Sequence, residues 1–133
     1  VNHLGAPVGF THAPADRDPV YAEWARAIER LARLPNIFMK LGGLASIVTG
    51  YDGCKRAMPP SSAEFVAERS AYFDHAIGCL GPERCMFESN FPVDSVSIGY
   101  RTLWNAFKTM AMAYDGSARR ALLAGTARRV YRI

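Results

Sequence analysis

The chain has 133 residues, of which 50% are hydrophobic and 21% are charged, and its formal net charge is +4 at pH 7. This composition is typical of a single globular domain, and its two Trp, six Tyr and seven Phe exclude an intrinsically disordered chain. No apolar run reaches the roughly 18–20 residues that a membrane-spanning helix needs, so the sequence predicts no membrane partner.

The cysteines and the basic end of the chain bear on location and partners. The number of cysteines is odd and the sequence has no CxxC motif; the three lie at Cys54, Cys79 and Cys85. We therefore expect no disulfide framework and a reducing, cytoplasmic location. Five arginines lie between residues 119 and 132, accompanied by the single aromatic residue Tyr131. This pattern is typical of the solvated face of a helix, and we expect no nucleic-acid partner.

The first half of the chain predicts a helix followed by a buried strand. Asp18 and Pro19 are residue types favoured at a helix N-terminus. Apolar residues then recur at spacings of three and four, as in an amphipathic helix, at Tyr21, Trp24, Ile28 and Leu31. Residues 37–41 are a compact, mostly apolar run that ends at two glycines, which predicts a buried strand and a turn. Residues 44–60 are predicted to be a loop, and residues 1–4 to be the end of an earlier strand.

The second half repeats this alternation. Ser61 and Glu64 have the spacing of a capping box, which predicts a helix from Ser61 to Leu80. Residues 84–89 are a second strand candidate, and residues 97–114 a further amphipathic helix. Ser117 is predicted to cap a last helix that bends or restarts near residues 125–126. Alternating strands and helices favour a parallel sheet with right-handed crossovers, in which ligands bind at the carboxyl ends of the strands.

Four segments, in this order and at this spacing, resemble the C-terminal portion of the amidohydrolase-related family: residues 2–7, 36–43, 84–94 and 122–133. This family consists of TIM-barrel hydrolases that include dicarboxylate lactonases, sugar-lactone hydrolases and some decarboxylases. The resemblance implies an α/β fold, with residues 1–133 forming a partial amidohydrolase-related TIM-barrel domain. By the same resemblance the three strands would be about the sixth to eighth of a (β/α)8 barrel. A whole barrel needs about 250 residues, so the chain would be roughly the last half of one.

The resemblance places three candidate catalytic residues at the ends of these strands. His3 matches the active-site histidine of the sixth strand, where it would polarise a carbonyl or bind a metal, although a histidine satisfied by local backbone groups is the alternative. Asn90 stands where the family commonly has the Asp of a Ser-Asp-Trp-Pro motif, and an amide cannot accept a proton near pH 7. Asp94, four residues later, could supply the missing carboxylate, or it could favour the N-terminus of the following helix.

Three further residues have candidate roles: two could contact the substrate, and for the third the sequence leaves two roles open. Lys40 could bind a substrate carboxylate or reach solvent at the strand end, and His12 could lie at the mouth of the site. Glu88 stands where many relatives have Gly, so it is either an additional acid near the site or a local change in strand packing.

The resemblance implies a hydrolase that acts on a lactone, or a similar carbonyl ester of a small acid, by attack of water. The expected partner is a small-molecule carboxylate or lactone. No metal ligand is assigned, and because Asn90 replaces the family's Asp we expect weak metal binding or none, although a full-length parent could hold zinc or manganese. A decarboxylase of the same family would also fit the resemblance. So would a catalytically silent barrel fragment, whose exposed strand edges would favour a homo-oligomer.

Overall fold

The structure, a computed structural model, describes residues 1–9 and 17–133, with side chains from residue 19 onward in the second range. His12 lies outside the described residues, and its place at the mouth of a site stays a prediction. The chain is helix-rich and α/β. Its elements are α1 (Arg17–Ala32), β1 (Met39–Leu41), α2 (Ser62–Leu80), β2 (Cys85–Phe87), α3 (Tyr100–Ala111), α4 (Gly116–Arg120) and α5 (Thr126–Tyr131).

The sheet is parallel, as the alternation of elements predicts. Strands β1 and β2 pair with Met39 opposite Cys85 and Leu41 opposite Phe87. Val1 continues the sheet on the other side of β1, because its N–H donates to the Phe38 carbonyl (2.6 Å) and its own carbonyl accepts from the Lys40 N–H (2.9 Å). The chain then turns into a short 3-10 helix at His3–Gly5. The predicted strand end at residues 1–4 is therefore one residue of pairing followed by a turn.

The helix boundaries follow local chemistry. The Ser61 hydroxyl accepts from the Glu64 N–H and the Glu64 side chain accepts from the Ser61 N–H, so the predicted capping box starts α2, which ends at Gly81. The bend predicted near residues 125–126 is a π-helical turn over Ala121–Gly125 that separates α4 from α5. Both strands are shorter than predicted, at Met39–Leu41 and Cys85–Phe87, although the next residue after β2 still pairs, with the Glu88 N–H donating to the Leu41 carbonyl at 3.1 Å.

The core lies between the sheet and the helices that follow each strand. Phe73 of α2 and Phe107 of α3 pack with Phe87 of β2, with ring centroids 4.7–6.1 Å apart. Arg84 joins the C-terminal ends of α1 and α2 by donating to the carbonyls of Leu80, Leu34 and Ala32. This packing holds the strands in register, so the carboxyl ends of Val1, β1 and β2 lie at one edge of the sheet. Over the described residues, no helix combines the length and apolar character needed to cross a membrane.

Candidate active site

Four of the five sequence-predicted site residues lie at or beside the carboxyl ends of the strands, and they form two hydrogen-bonded groups. His3 follows Val1, Lys40 lies within β1, and Asn90 and Asp94 follow β2. His3 and Lys40 belong to one group, and Asn90 and Asp94 belong to the other. The residue that completes the first group is Glu88, directly after β2.

Glu88 is bound to His3 by two hydrogen bonds. The His3 Nδ1 lies 2.6 Å from Glu88 Oε1, and the His3 backbone N–H donates to the same oxygen at 3.0 Å. An ionised carboxylate only accepts, so Nδ1 carries the hydrogen and Nε2 is the ring position left for another contact. The Glu88 side chain is 11% exposed, whereas that of His3 is 37% exposed. The imidazole is thus held at Nδ1 by a largely buried carboxylate, while the His3 side chain as a whole stays partly exposed.

The second oxygen of Glu88 binds Lys40. The Lys40 Nζ lies 2.5 Å from Glu88 Oε2, and the lysine side chain is 28% exposed between two fully buried neighbours, Met39 and Leu41. The hydrogen bond to Glu88 raises the pKa of the Lys40 ammonium above its usual value, and partial burial opposes this shift. Lys40 therefore remains charged, and Glu88 joins two residues that lie on different strands.

Two adjacent glycines make room for this group. Gly43 has φ +76°, a left-handed conformation, and a Cβ there would lie 2.7 Å from the His3 Cβ. A Cβ at Gly42 would overlap the backbone carbonyl of Glu88. The Gly42-Gly43 turn after β1 is therefore required by the close approach of His3 and Glu88, as well as by the turn itself.

The turn that carries His3 has an unusual backbone. His3 and Leu4 both have φ +54°, and Ala6 has φ +49°, values that non-glycine residues seldom adopt and that cost roughly 1–3 kcal/mol each. Leu4 is fully buried, and its carbonyl accepts from the Trp24 Nε1–H at 2.6 Å. Burial of Leu4 and this hydrogen bond from α1 hold the turn in place, and with it the direction of the His3 side chain.

The second group is built around Asp94, which is fully buried. Its Oδ1 accepts from the Asn90 Nδ2 at 2.8 Å, and its Oδ2 accepts from the Ala45 N–H at 3.3 Å. Burial raises the pKa of the Asp94 carboxyl to about 6, although both hydrogen bonds and the nearby His3 lower it. The carboxylate thus connects the loop after β1 with the loop after β2, and Asn90 serves as its hydrogen-bond donor.

Glu88 and the Ala45 N–H are the parts of the site that the sequence alone does not assign. The sequence offers Glu88 as either an additional acid near the site or a change in strand packing, and it cannot decide between them because the partner His3 is 85 positions away. The available signal is the combination of an acidic residue at a strand end with a histidine and a lysine at neighbouring strand ends. No comparable signal marks a backbone N–H.

The described residues do not fit a metal centre on their own. Within residues 1–9 and 17–133, no group of three or more His, Cys, Asp or Glu side chains is arranged to hold a metal ion. His3 offers Nε2 as one open ligand atom, because Nδ1 binds Glu88, while both oxygens of the buried Asp94 already accept hydrogen bonds. These side chains therefore supply too few open ligand atoms to hold a metal ion by themselves.

Comparison with known proteins gives one consistent result. The family described as "Amidohydrolase" matches residues 1–133. The chain is 33% identical over 133 residues to L-fucono-1,5-lactonase of Burkholderia multivorans and 26% identical over 117 residues to L-rhamnono-gamma-lactonase of Scheffersomyces stipitis. These matches cover 98% and 86% of the chain, but 42% and 33% of the two relatives.

Solved structures agree with this result. A crystal structure of an amidohydrolase from Burkholderia multivorans with bound HEPES superposes with a TM-score of 0.82 at 30% identity, covering 100% of the chain and 44% of that protein. A crystal structure described in the same way but with bound zinc gives a TM-score of 0.81 at 29% identity. The chain therefore spans less than half the length of the relatives it matches.

Proposed function

The chain belongs to the amidohydrolase family, and we propose that it contributes to a site that hydrolyses a small lactone, with His3 as the general base. A water molecule attacks the lactone carbonyl carbon, and His3 Nε2 takes a proton from this water. The ring C–O bond then breaks, and the imidazolium returns the proton to the leaving alkoxide. The product is the open-chain hydroxy acid.

The observation that carries this proposal is the His3–Glu88 pair. A carboxylate that binds Nδ1–H fixes the tautomer and the orientation of an imidazole, and it stabilises the imidazolium that forms when Nε2 accepts a proton. The 2.6 Å contact and the burial of Glu88 supply this arrangement, and the exposure of His3 leaves Nε2 accessible. General base catalysis of this type contributes about 10²–10⁴-fold to a rate.

Asn90 and Asp94 take part through the loops that surround the substrate. Asp94 has no exposed surface, so in this proposal it acts on the site through its neighbours. Its hydrogen bonds to Asn90 and to the Ala45 N–H keep the two strand-end loops at a fixed separation. A carboxyl whose pKa is about 6 also changes charge just below neutral pH, which makes the separation of these loops sensitive to pH.

Two features support the substrate class. The relatives with 33% and 26% identity are named as lactonases of sugar acids, one with a 1,5-lactone and one with a gamma-lactone. A lactone is neutral and needs no cation to bind it, which agrees with a site whose Lys40 ammonium is already paired with Glu88. In the same proposal, residues 1–133 are a partial TIM-barrel domain that supplies about the last three strands of the barrel.

The experiment is an assay of the protein expressed from the whole reading frame that encodes this chain. Five- and six-membered lactones of sugar acids are each supplied, and acid release is followed with a pH indicator. The matched variants are His3→Gln and Glu88→Gln, which remove the base and its carboxylate partner with little change in side-chain volume. We expect lactone opening by the wild type and a loss of at least 100-fold in kcat/KM for His3→Gln.

Two results would contradict the proposal. Release of carbon dioxide from a small aromatic or unsaturated acid, without lactone opening, would identify a decarboxylase. Absence of turnover by the wild-type protein on both ring sizes, with the fold intact by circular dichroism, would identify a catalytically silent member of the family.

A further inference from the structure

We propose that Lys40 is a positioning residue that holds Glu88 in the orientation that His3 requires, and that it does not contact the substrate. This inference rests on the proposed function of the His3–Glu88 pair. It departs from the sequence-based expectation that Lys40 binds a substrate carboxylate.

The two oxygens of the Glu88 carboxylate bind different partners. Oε1 accepts both hydrogen bonds from His3, at 2.6 and 3.0 Å, and Oε2 faces the Lys40 Nζ at 2.5 Å. A carboxylate bound at one oxygen can still rotate about its last torsion, whereas one bound at both oxygens cannot. Lys40 therefore fixes the plane of the carboxylate, and this plane determines where the imidazole points.

The charge of Lys40 supports the same role. A carboxylate that is only 11% exposed is costly to keep ionised unless a cation or several donors compensate it. Lys40 supplies a cation in contact with Glu88, and the pKa of its ammonium is raised by this hydrogen bond. Asp94 also faces this region, and its carboxyl repels Glu88 when it is ionised. Lys40 thus compensates the charge of the carboxylate that accepts from His3.

Lys40 is also attached to the backbone of the same site. Its N–H donates to the Val1 carbonyl at 2.9 Å, two residues before His3. Its neighbours in β1, Met39 and Leu41, are fully buried and fix the strand in the core. Lys40 is therefore tied to the segment that carries His3 by its backbone and to the partner of His3 by its side chain.

The competing role makes a different prediction. A lysine that binds a substrate carboxylate needs an ammonium free for that anion, and the Lys40 ammonium already has a carboxylate at 2.5 Å. Loss of a substrate-binding lysine raises KM and leaves kcat nearly unchanged, whereas loss of a positioning residue lowers kcat with a small change in KM.

The test compares Lys40→Met and Lys40→Gln, which remove the cation, with Lys40→Arg, which keeps it, in the protein expressed from the whole reading frame. Kinetics on the lactone that the wild type opens are measured for each variant. We expect a fall in kcat of at least tenfold for Lys40→Met and Lys40→Gln with KM within twofold, and recovery of at least a third of the wild-type kcat in Lys40→Arg. A rise in KM with kcat preserved, or an Arg variant no better than the Met variant, would overturn the inference.

A spectroscopic readout makes the test independent of turnover. A hydrogen-bonded imidazole N–H proton gives a far-downfield resonance in the proton NMR spectrum of histidine-labelled protein, and the signal of His3 is assigned by its loss in His3→Gln. We expect this signal to move upfield or exchange faster in Lys40→Met and to stay in place in Lys40→Arg. An unchanged signal in Lys40→Met would refute the role of Lys40 even in a protein that opens no lactone, so failure of this inference is distinguishable from failure of the proposed function.

Discussion

Substitution of Gly43 by alanine is the sharpest perturbation of the site that the structure allows. The residue lies in the turn after β1 with φ +76°, where an L-residue is strained by about 1–2 kcal/mol. The added Cβ would also lie 2.7 Å from the His3 Cβ, an atom fixed to a tightly turned backbone. Overpacking of this kind costs about 1–3 kcal/mol. The two effects together predict a loss of roughly 2–5 kcal/mol in the free energy of unfolding.

The chain contains a matched control in Gly78. This glycine lies in α2, and a Cβ there meets no atom within 4 Å. Because alanine is favoured over glycine in a helix by about 0.8–1 kcal/mol, Gly78→Ala is expected to stabilise the protein by up to that amount. The two variants make the same chemical change and predict shifts of opposite sign.

The assays are urea unfolding of both variants and lactone turnover of both. Displacement of a catalytic group by about 1 Å can cost about 100-fold in rate, so Gly43→Ala is expected to lower kcat strongly even under conditions in which it remains folded. Gly78→Ala is expected to leave kcat unchanged. A Gly43→Ala protein with wild-type stability and wild-type kcat would refute the packing of His3 against the Gly42-Gly43 turn.

Two further predictions concern the groups around the site. The pKa of Asp94 is raised from 3.8 to about 6 in the folded protein, so its contribution to stability is complete well below pH 3.8 and is lost as the pH rises through 6. Relative to Asp94→Asn, the wild type should lose about 2 kcal/mol in the free energy of unfolding between pH 4 and pH 7, and a difference that does not change with pH would contradict this. Trp24→Phe removes the donor to the buried Leu4 carbonyl and should lower the free energy of unfolding in urea by about 1–3 kcal/mol. Tyr21→Phe removes a hydroxyl that makes only an exposed contact of 3.4 Å, and should lower it by less than about 0.5 kcal/mol. Equal losses in these two variants would contradict the role given to the Trp24 hydrogen bond.

The order of helices and strands could be predicted because each depends on neighbouring residues. The Ser61 and Glu64 capping box and the glycines after β1 and α2 act over three or four positions, and the structure has them where the sequence predicts. The predicted cap at Ser117 is wrong, because this residue lies inside α4, whose N-terminus is capped by the Asp115 side chain. Strand length is harder to predict, because pairing depends on a neighbour elsewhere in the chain. The left-handed conformation of His3 and Leu4 could not be predicted, since Leu seldom adopts it and burial of Leu4 in the finished core imposes it.

The candidate site shows the same division between local and distant causes. The sequence points to His3, Lys40, Asn90 and Asp94 because strand ends and family motifs are readable along the chain. It cannot assign Glu88, whose importance lies in the two partners that it joins across the sheet. It also cannot show that Asn90 donates to Asp94, because this contact requires the left-handed turn at Asn90, with φ +53°.

One comparison tests the proposed catalytic role of His3 most directly. The kcat/KM for lactone opening is measured for His3→Gln and for His75→Gln, both in the protein expressed from the whole reading frame. His75 lies in α2 and contacts the Ala25 carbonyl and Cys79, so its substitution controls for loss of an imidazole outside the site. We predict a loss of at least 100-fold for His3→Gln and a change within about twofold for His75→Gln. A His3→Gln protein that remains folded and opens the lactone at the wild-type rate would contradict this role.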